Sequence, residues 1–343
     1  MRAMLLESPG PIAEAPLKMV DRPLPEPGPG EVLIRVKACG VCHTDLHTVE
    51  GELPLPHLPL IPGHQVVGII ASEGQGAGTG MERQLPGPEG LAPGQRVGVP
   101  WLHWACGRCE FCRQGLENLC PDAKFTGLDV NGGYAEYMVA PADFVLPLPE
   151  EFSDYEVAPL LCAGIIGYRS LRVASLVPGE RLALFGFGAS AHLALQVARY
   201  WGCEVFVFTR SREHQQLALT LGARWAGRAG EEAPALADRA ITFAPVGSLI
   251  PYTLQAVRPG GTVAINAIHL DCIPEFSYDF LYGERSLKSV TNLTREDGRE
   301  FLALAAKIPI RVATEIYPLE EANQVLQSLK AGKIQGAAVL EVA

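Results

Sequence analysis

The sequence predicts an α/β protein of two domains, one irregular and β-rich, the other a doubly wound parallel sheet. Three observations predict it: the length, a first half of short β-like runs broken by Gly and Pro, and a second half in which strands alternate with helices. At 343 residues the chain exceeds what one hydrophobic core usually serves, so two domains sharing a cleft are expected. From about residue 30 to 147 the β-like runs are Val32 to Val36, Val66 to Ile70, Arg96 to Val99 and Tyr134 to Val139, a pattern of an all-β or barrel-like domain. Between Glu73 and Gly94 a stretch dense in Gly and Pro reads as an exposed loop.

After about Cys162 the texture changes. Arg181 to Phe185, Glu204 to Phe208, Arg239 to Phe243, Thr262 to Ile268 and Ser286 to Val290 are β-rich, and helix-patterned stretches such as Ala191 to Tyr200 and Glu213 to Leu221 separate several of them. Strands alternating with helices imply a parallel sheet wound on both faces. The last segment reads as a helix from Glu320 to Lys330 and a closing strand that returns to the first domain. The expected division is residues 1–160 with 293–343, and residues 161–292.

Composition narrows the partners. The net charge is −10, with 28 Lys and Arg against 38 Asp and Glu, and no basic face that would suit nucleic acid. The start, Met1 to Pro11, lacks a secretion signal, and apolar stretches break before membrane-spanning length. A cytoplasmic protein with no membrane partner is expected. Nine cysteines in such a chain suggest metal ligation in a reducing compartment rather than disulfides.

Four of them, Cys106, Cys109, Cys112 and Cys120, stand as C-x2-C-x2-C-x7-C in CGRCEFCRQGLENLC. Thiolates are soft ligands suited to Zn(II), and one loop folded around a tetrahedral ion can supply all four. A closed four-sulfur shell leaves no open position, which assigns that zinc to structure. An iron–sulfur cluster is the other use of four thiolates, but nothing in the sequence suggests an electron-transfer partner.

A second cluster is ambiguous on spacing alone. It comprises Cys39, Cys42, His43, Thr44, Asp45 and His47, with His64 about twenty residues on. Cys39 and Cys42 fit a redox C-x-x-C, His43 and His47 fit one helical turn, and a lone His64 fits an ordinary core histidine.

The run Leu182 to His192 carries Gly186-x-Gly188-Ala189-Ser190-Ala191 directly after a β-rich stretch and at the start of a helix. Gly186 permits a tight turn, Gly188 lets backbone approach a pyrophosphate, and the small residue at 191 lets helix pack on strand. Phosphates then face the helix N-terminus. The next strand ends Thr209-Arg210-Ser211-Arg212, without the carboxylate that would take the adenosine ribose of NAD. Arg210 and Arg212 suit a 2′-phosphate, which favours NADP(H) over NAD(H).

In their order along nearly the whole chain, these features resemble the medium-chain, zinc-containing alcohol dehydrogenases, closest to the bacterial propanol-preferring branch. FGFGASAHLALQVAR and the ending GKIQGAAVLEV carry the branch likeness. The resemblance implies a GroES-like catalytic domain with a Rossmann coenzyme domain, two zinc ions per chain, and a homodimer or homotetramer. Carried over by position, it makes Cys42, His64 and Cys162 the ligands of a catalytic zinc with an open fourth site. Asp45 then supports His64, Thr44 takes the substrate hydroxyl proton, and the proton passes by way of the cofactor ribose to His47. Cys39, Cys203 and Cys272 become ordinary apolar residues. Zinc lowers the pKa of a ligated hydroxyl so that the alcohol can give up hydride, and polarises an aldehyde in the reverse direction. Leu53, Trp101, Leu102 and Trp104 are expected to line a pocket for a small apolar alcohol or aldehyde.

The chain departs from the family pattern at Gln65, where a glutamate is usual beside the ligand histidine, and at Ile166, where a threonine often contacts nicotinamide. Ala337 stands where an arginine frequently meets the pyrophosphate, a contact that His43 is expected to replace in part. These departures bear on turnover more than on fold. The rival readings are another reductase of the same superfamily and a catalytically decayed zinc and dinucleotide binder with a sensing or structural role. Retention of Cys42, Thr44, His47, His64 and Cys162 weighs against decay.

Overall fold

The computed structural model describes residues 1–74 and 91–342, so most of the loop expected between Glu73 and Gly94 lies outside the described residues. The chain forms two compact units, Met1–Cys162 with Asn292–Ala306 and Val312–Ala343, and Ala163–Thr291 with Lys307–Arg311. Cys162 thus falls with the first unit, where the sequence division had placed it in the second. Lys307–Arg311 falls with the second unit, where Arg311 is tied by two backbone bonds to the side chain of Gln196, at 2.8 and 3.2 Å.

The first unit is organised by the eleven-residue strand Glu31–Val41. One edge pairs antiparallel with Gln65–Glu73. The other is shared, residues 31–35 with Tyr137–Pro141 and residues 38–41 with the closing strand Ala337–Glu341. A register shift between Val36 and Ala38 bends the strand where its partner changes, as an extra residue in a ladder does. Val32, Ile34 and Val36 alternate into the core with Val66, Ile70, Val97 and Leu340. Arg96–Val99 extends the sheet beyond Gln65–Glu73, and Thr314–Pro318 adds a parallel edge to the closing strand. The β-like run at Tyr134 becomes strand only from Tyr137. Tyr134 spends its backbone elsewhere, its N–H donating to Pro62 O at 3.0 Å and its carbonyl accepting from Met4 at 2.8 Å.

The expected C-terminal helix is a short 3-10 turn, Leu319–Glu321, leading into Ala322–Lys330. Ala322, Val325 and Leu326 are its buried residues, the i, i+3, i+4 stripe of a one-sided helix.

The second unit is a six-stranded, wholly parallel sheet in the order Trp225–Gly227, Glu204–Phe208, Arg181–Phe185, Ala237–Thr242, Val257–Ile265 and Ser286–Ser289. The first strand in sequence lies inside, so the order reverses between Arg181–Phe185 and Ala237–Thr242, the position at which doubly wound sheets bind ligands. Glycine-started Ala189–Tyr200 and Ser-capped Arg212–Thr220 follow the first two strands. Among the described residues no helix is long and apolar enough to cross a membrane.

Candidate functional site

The site in the first unit begins where the long strand ends. Cys42 is the N-cap of the helix His43–Glu50: its sulfur accepts from the Thr44 amide at 3.3 Å, and the Asp45 carboxylate reaches back to the Cys42 amide at 2.9 Å. That reciprocal capping box turns Asp45 inward, where its other oxygen accepts from His64 Nδ1 at 2.8 Å. With Nδ1 held, Nε2 of the fully buried His64 faces the Cys42 sulfur at 3.4 Å. Gly63 makes the approach possible. Its φ is 99°, and a Cβ there would stand 2.4 Å from the Tyr134 ring. Cys162 follows the 3-10 turn Ala158–Leu161 and brings the third donor.

The donor atoms of Cys42, His64 and Cys162 all lie within 4.8 Å of one another. Tetrahedral Zn(II), at about 2.3 Å from sulfur and about 2.0 Å from nitrogen, sets sulfur and nitrogen about 3.5 Å apart. The 3.4 Å between Cys42 and His64 fits that ion. The hydrogen bond to Cys42, with burial, pushes the Cys162 thiol well up. A hydrogen bond from the Cys162 thiol holds Cys42 well below an ordinary thiol, against the effect of burial. Burial would lower the His64 pKa, but Asp45 and the Cys42 sulfur outweigh it and push it up to about 10.

Cys106, Cys109, Cys112 and Cys120 form the second group within the same 4.8 Å limit. Backbone N–H groups point at its sulfurs, Cys109 to Cys106 at 3.3 Å, Cys112 to Cys109 at 3.4 Å and Cys106 to Cys120 at 3.5 Å. The Arg108 amide is the main reason the Cys106 thiol is lowered to about 7. The lobe is anchored by a pair that sequence patterns did not single out. Glu117, three residues before Cys120, accepts from Arg295 Nη2 at 2.5 Å, Nε at 2.9 Å and the backbone amide at 3.1 Å, and both side chains are under 8 % exposed.

The remaining expected residues divide. Thr44 is buried, and His47 lies one turn further along the same helix. The His47 Nδ1 is paired with Glu52, a partner the sequence reading missed although Gly51 signals it: with φ 75° this glycine ends the helix and lets the Glu52 amide reach His47 O at 2.9 Å. His43 is exposed, its ring 6.5 Å from that of His47. Trp101 packs edge-on against His64 at 4.9 Å and stacks on Phe125 at 5.1 Å. Leu102 is fully buried beside Trp101. Trp104 and Leu53 are half-buried. Cys39 is sealed in the core, its sulfur turned to Gly40 O, and all nine cysteines are free.

In the second unit Gly186 has φ 83°, and a Cβ would come 2.9 Å from the Ala244 amide. Gly188 caps the helix without a side chain, and a Cβ there would meet nothing within 4 Å. Its surroundings are open at the helix N-terminus, beside exposed Ala189 and half-buried Ser190, with Ala191 fully buried beneath. At the end of the next strand Thr209 is half-buried, and Arg210 and Arg212 are exposed. Ser211 between them caps the following helix through the His214 amide at 3.2 Å. Ile166 sits in Ala163–Val173 and Ala337 opens the closing strand.

A β-rich unit with one three-donor and one four-thiol cluster, and a parallel unit with a glycine-turned dinucleotide fold, define a zinc-binding dehydrogenase of the medium-chain class. Residues 28–150 match the family described as alcohol dehydrogenase GroES-like domain, and residues 191–307 that described as zinc-binding dehydrogenase. The chain is 48% identical over 341 residues to a probable alcohol dehydrogenase of Mycobacterium tuberculosis, covering 99% of this chain and 97% of that protein. It is 40% identical over 335 residues to an alcohol dehydrogenase of Geobacillus stearothermophilus, covering 95% of each. Among solved structures, a cobalt- and zinc-bound alcohol dehydrogenase of Pyrobaculum aerophilum superposes with TM-score 0.85 at 27% identity, covering 99% of both chains. The chain belongs to the zinc-binding alcohol dehydrogenases.

Proposed function

We propose that this protein interconverts small alcohols and aldehydes, with Cys42, His64 and Cys162 holding a catalytic zinc and the four-cysteine lobe a structural one. The convergence of Cys42, His64 and Cys162 on one point, with Asp45 behind His64, carries the reading. When bound, zinc supplies a Lewis acid for the substrate oxygen and the nicotinamide dinucleotide exchanges the hydride.

The chain's own residues do the rest. Asp45 fixes the His64 tautomer and keeps Nε2 toward the ion. Thr44 accepts the substrate hydroxyl proton, and His47, three residues along the helix and 30% exposed, holds a proton at the surface, with Glu52 on its Nδ1. The edge of Trp101 against His64 narrows the space beside the ligand and suits small apolar substrates. Gly186, Gly188, Ala189, Ser190 and Ala191 bind the pyrophosphate. Thr209, Arg210 and Arg212 favour NADP(H), the two exposed guanidinium groups suiting a 2′-phosphate. His43 supplies a further phosphate contact.

Metal content and oxidation of NADPH and NADH with short aldehydes, in wild type and Cys42→Ser, test the reading. It requires two zincs per chain and NADPH-preferring turnover, with one zinc and no turnover in the variant. One zinc in the wild type and no turnover with either cofactor would replace it with a decayed, non-catalytic binder.

A further inference from the structure

The parallel sheet of the second unit is covered unequally. Strand alternation sends Ala183 and Phe185 to one face of Arg181–Phe185, and Phe206 and Phe208 to the same face of Glu204–Phe208. This is the face on which Ile250 and Leu254 of the six-residue helix Ile250–Gln255 pack. A parallel sheet needs both faces covered, and a crossover from Trp225–Gly227 to Ala237–Thr242 ordinarily brings a helix for the purpose. Here the link, residues 228–236, has nine residues and contains no helix.

What the missing helix leaves is a cavity of about 450 Å3. Its floor is aromatic: Phe185, Phe206 and Phe208 line it, and Phe185 stacks on Phe208 at 4.3 Å and 6°. The rim carries Tyr252 and Leu236, 44% and 47% exposed. Among the described residues its charged lining residues are Glu231 and Glu232, and no described Lys or Arg lines it. Glu231 already accepts the Arg228 amide at 3.1 Å, which fixes that carboxylate at the mouth, and Glu232 is exposed.

A volume in the range of small-molecule sites, an aromatic floor and a rim of one sign specify their ligand. We infer that this cavity binds a small organic cation, an apolar or aromatic body bearing an ammonium group, with the body against Phe185, Phe206 and Phe208 and the charge toward Glu231 and Glu232. The two carboxylates favour a cation over a neutral or anionic molecule of the same shape. The proposal concerns the second unit alone and does not depend on the zinc chemistry.

The test is titration of the zinc-loaded protein with 2-phenylethylammonium, and with phenylacetate as the anionic counterpart, by calorimetry and ligand-observed NMR. Saturable binding of the ammonium is expected in wild type and in Cys42→Ser, with none of the anion. Glu231→Gln combined with Glu232→Gln should weaken it about 5-fold, the scale of partly exposed charge pairs. Ala235→Phe, which fills the cavity, should abolish it while leaving aldehyde turnover intact, so the filled variant is known to be folded. Ammonium binding that survives Ala235→Phe, or that is lost in Cys42→Ser, would overturn the inference by placing the ligand elsewhere. So would absence of binding together with an oligomeric state that Ala235→Phe disrupts, since a second copy would then be the cover.

Discussion

Replacing Glu117 by alanine isolates one charge that the cysteine lobe depends on. In the native protein its carboxylate receives three hydrogen bonds from Arg295, and the two side chains are 7% and 6% exposed. An exposed ion pair is worth about 0–1 kcal/mol, but removing one partner of a buried pair strands the other and typically costs about 3–5 kcal/mol. Arg295 keeps other partners, among them the Asp143 carbonyl at 3.0 Å and the Phe144 ring at 4.6 Å, which argues for the lower end, about 3 kcal/mol. For a unit of this size that corresponds to a fall in Tm of roughly 6–12 °C.

Scanning calorimetry reads the stability, and a chromophoric chelator reads how fast the lobe releases its metal. Both should change, because Glu117 lies between Cys112 and Cys120 in the same loop. Glu117→Leu with Arg295→Leu should recover most of the loss, since apolar replacement of a buried pair is often close to neutral. A fall of less than about 1 kcal/mol in Glu117→Ala would refute the reasoning, as would a double variant no better than the single ones.

Asp45→Asn should lower affinity for the zinc proposed at Cys42, His64 and Cys162 by roughly 10–100-fold; a chelator competition showing unchanged affinity would remove Asp45 from that role. Arg210→Ala should raise the NADPH dissociation constant roughly 5-fold and leave NADH unchanged, and equal effects on both cofactors would count against 2′-phosphate recognition. Glu50, whose side chain is 9% exposed, accepts from the Ile12 amide at 2.9 Å and from Lys330 at 2.6 Å. Burial works to raise its pKa, yet these donors hold it below the ordinary 4.5. A carboxyl depressed in the fold contributes stability above its unfolded value and loses it as pH falls through the folded one. Wild type should therefore exceed Glu50→Gln in denaturant stability by about 0.5–1 kcal/mol at neutral pH, and the gap should close below pH 4.5; a gap independent of pH would show that the charge contributes nothing.

The sheet strands were legible in the sequence because their signals are local. Arg96–Val99, Arg181–Phe185 and Glu204–Phe208 fall on the expected residues, each a run of β-formers bounded by Gly, Pro or charge. Boundaries slipped where other partners took the backbone, as at Tyr134, whose N–H donates to Pro62 and whose carbonyl accepts from Met4 of the strand Arg2–Leu6, away from Glu31–Val41. The four-cysteine lobe was equally local. The three-donor cluster was not: Cys42, His64 and Cys162 span 120 residues, and spacing left them open until the order of motifs was set against a family. Glu117 with Arg295 escaped altogether, because a pair 178 residues apart leaves no periodic trace.

The eight-residue helix His43–Glu50 shows how ordinary folding rules can build a reactive centre in advance. Its N-cap is the sulfur of Cys42 and its capping-box acid is Asp45, so the two groups that stabilise the helix start are those that face and orient His64. Its C-terminal glycine turn does the same at the other end, folding Glu52 back onto His47. Capping residues are selected by backbone hydrogen bonds that exist whether or not a metal is bound. The geometry of Cys42, Asp45 and His64 is therefore a property of the folded chain, and ion binding need not assemble it. Removing the catalytic zinc proposed at Cys42, His64 and Cys162 should for that reason leave the far-ultraviolet circular dichroism of the protein unchanged while abolishing turnover. A loss of helical signal on selective removal of that ion would mean that the metal, and not the capping box, holds the site together.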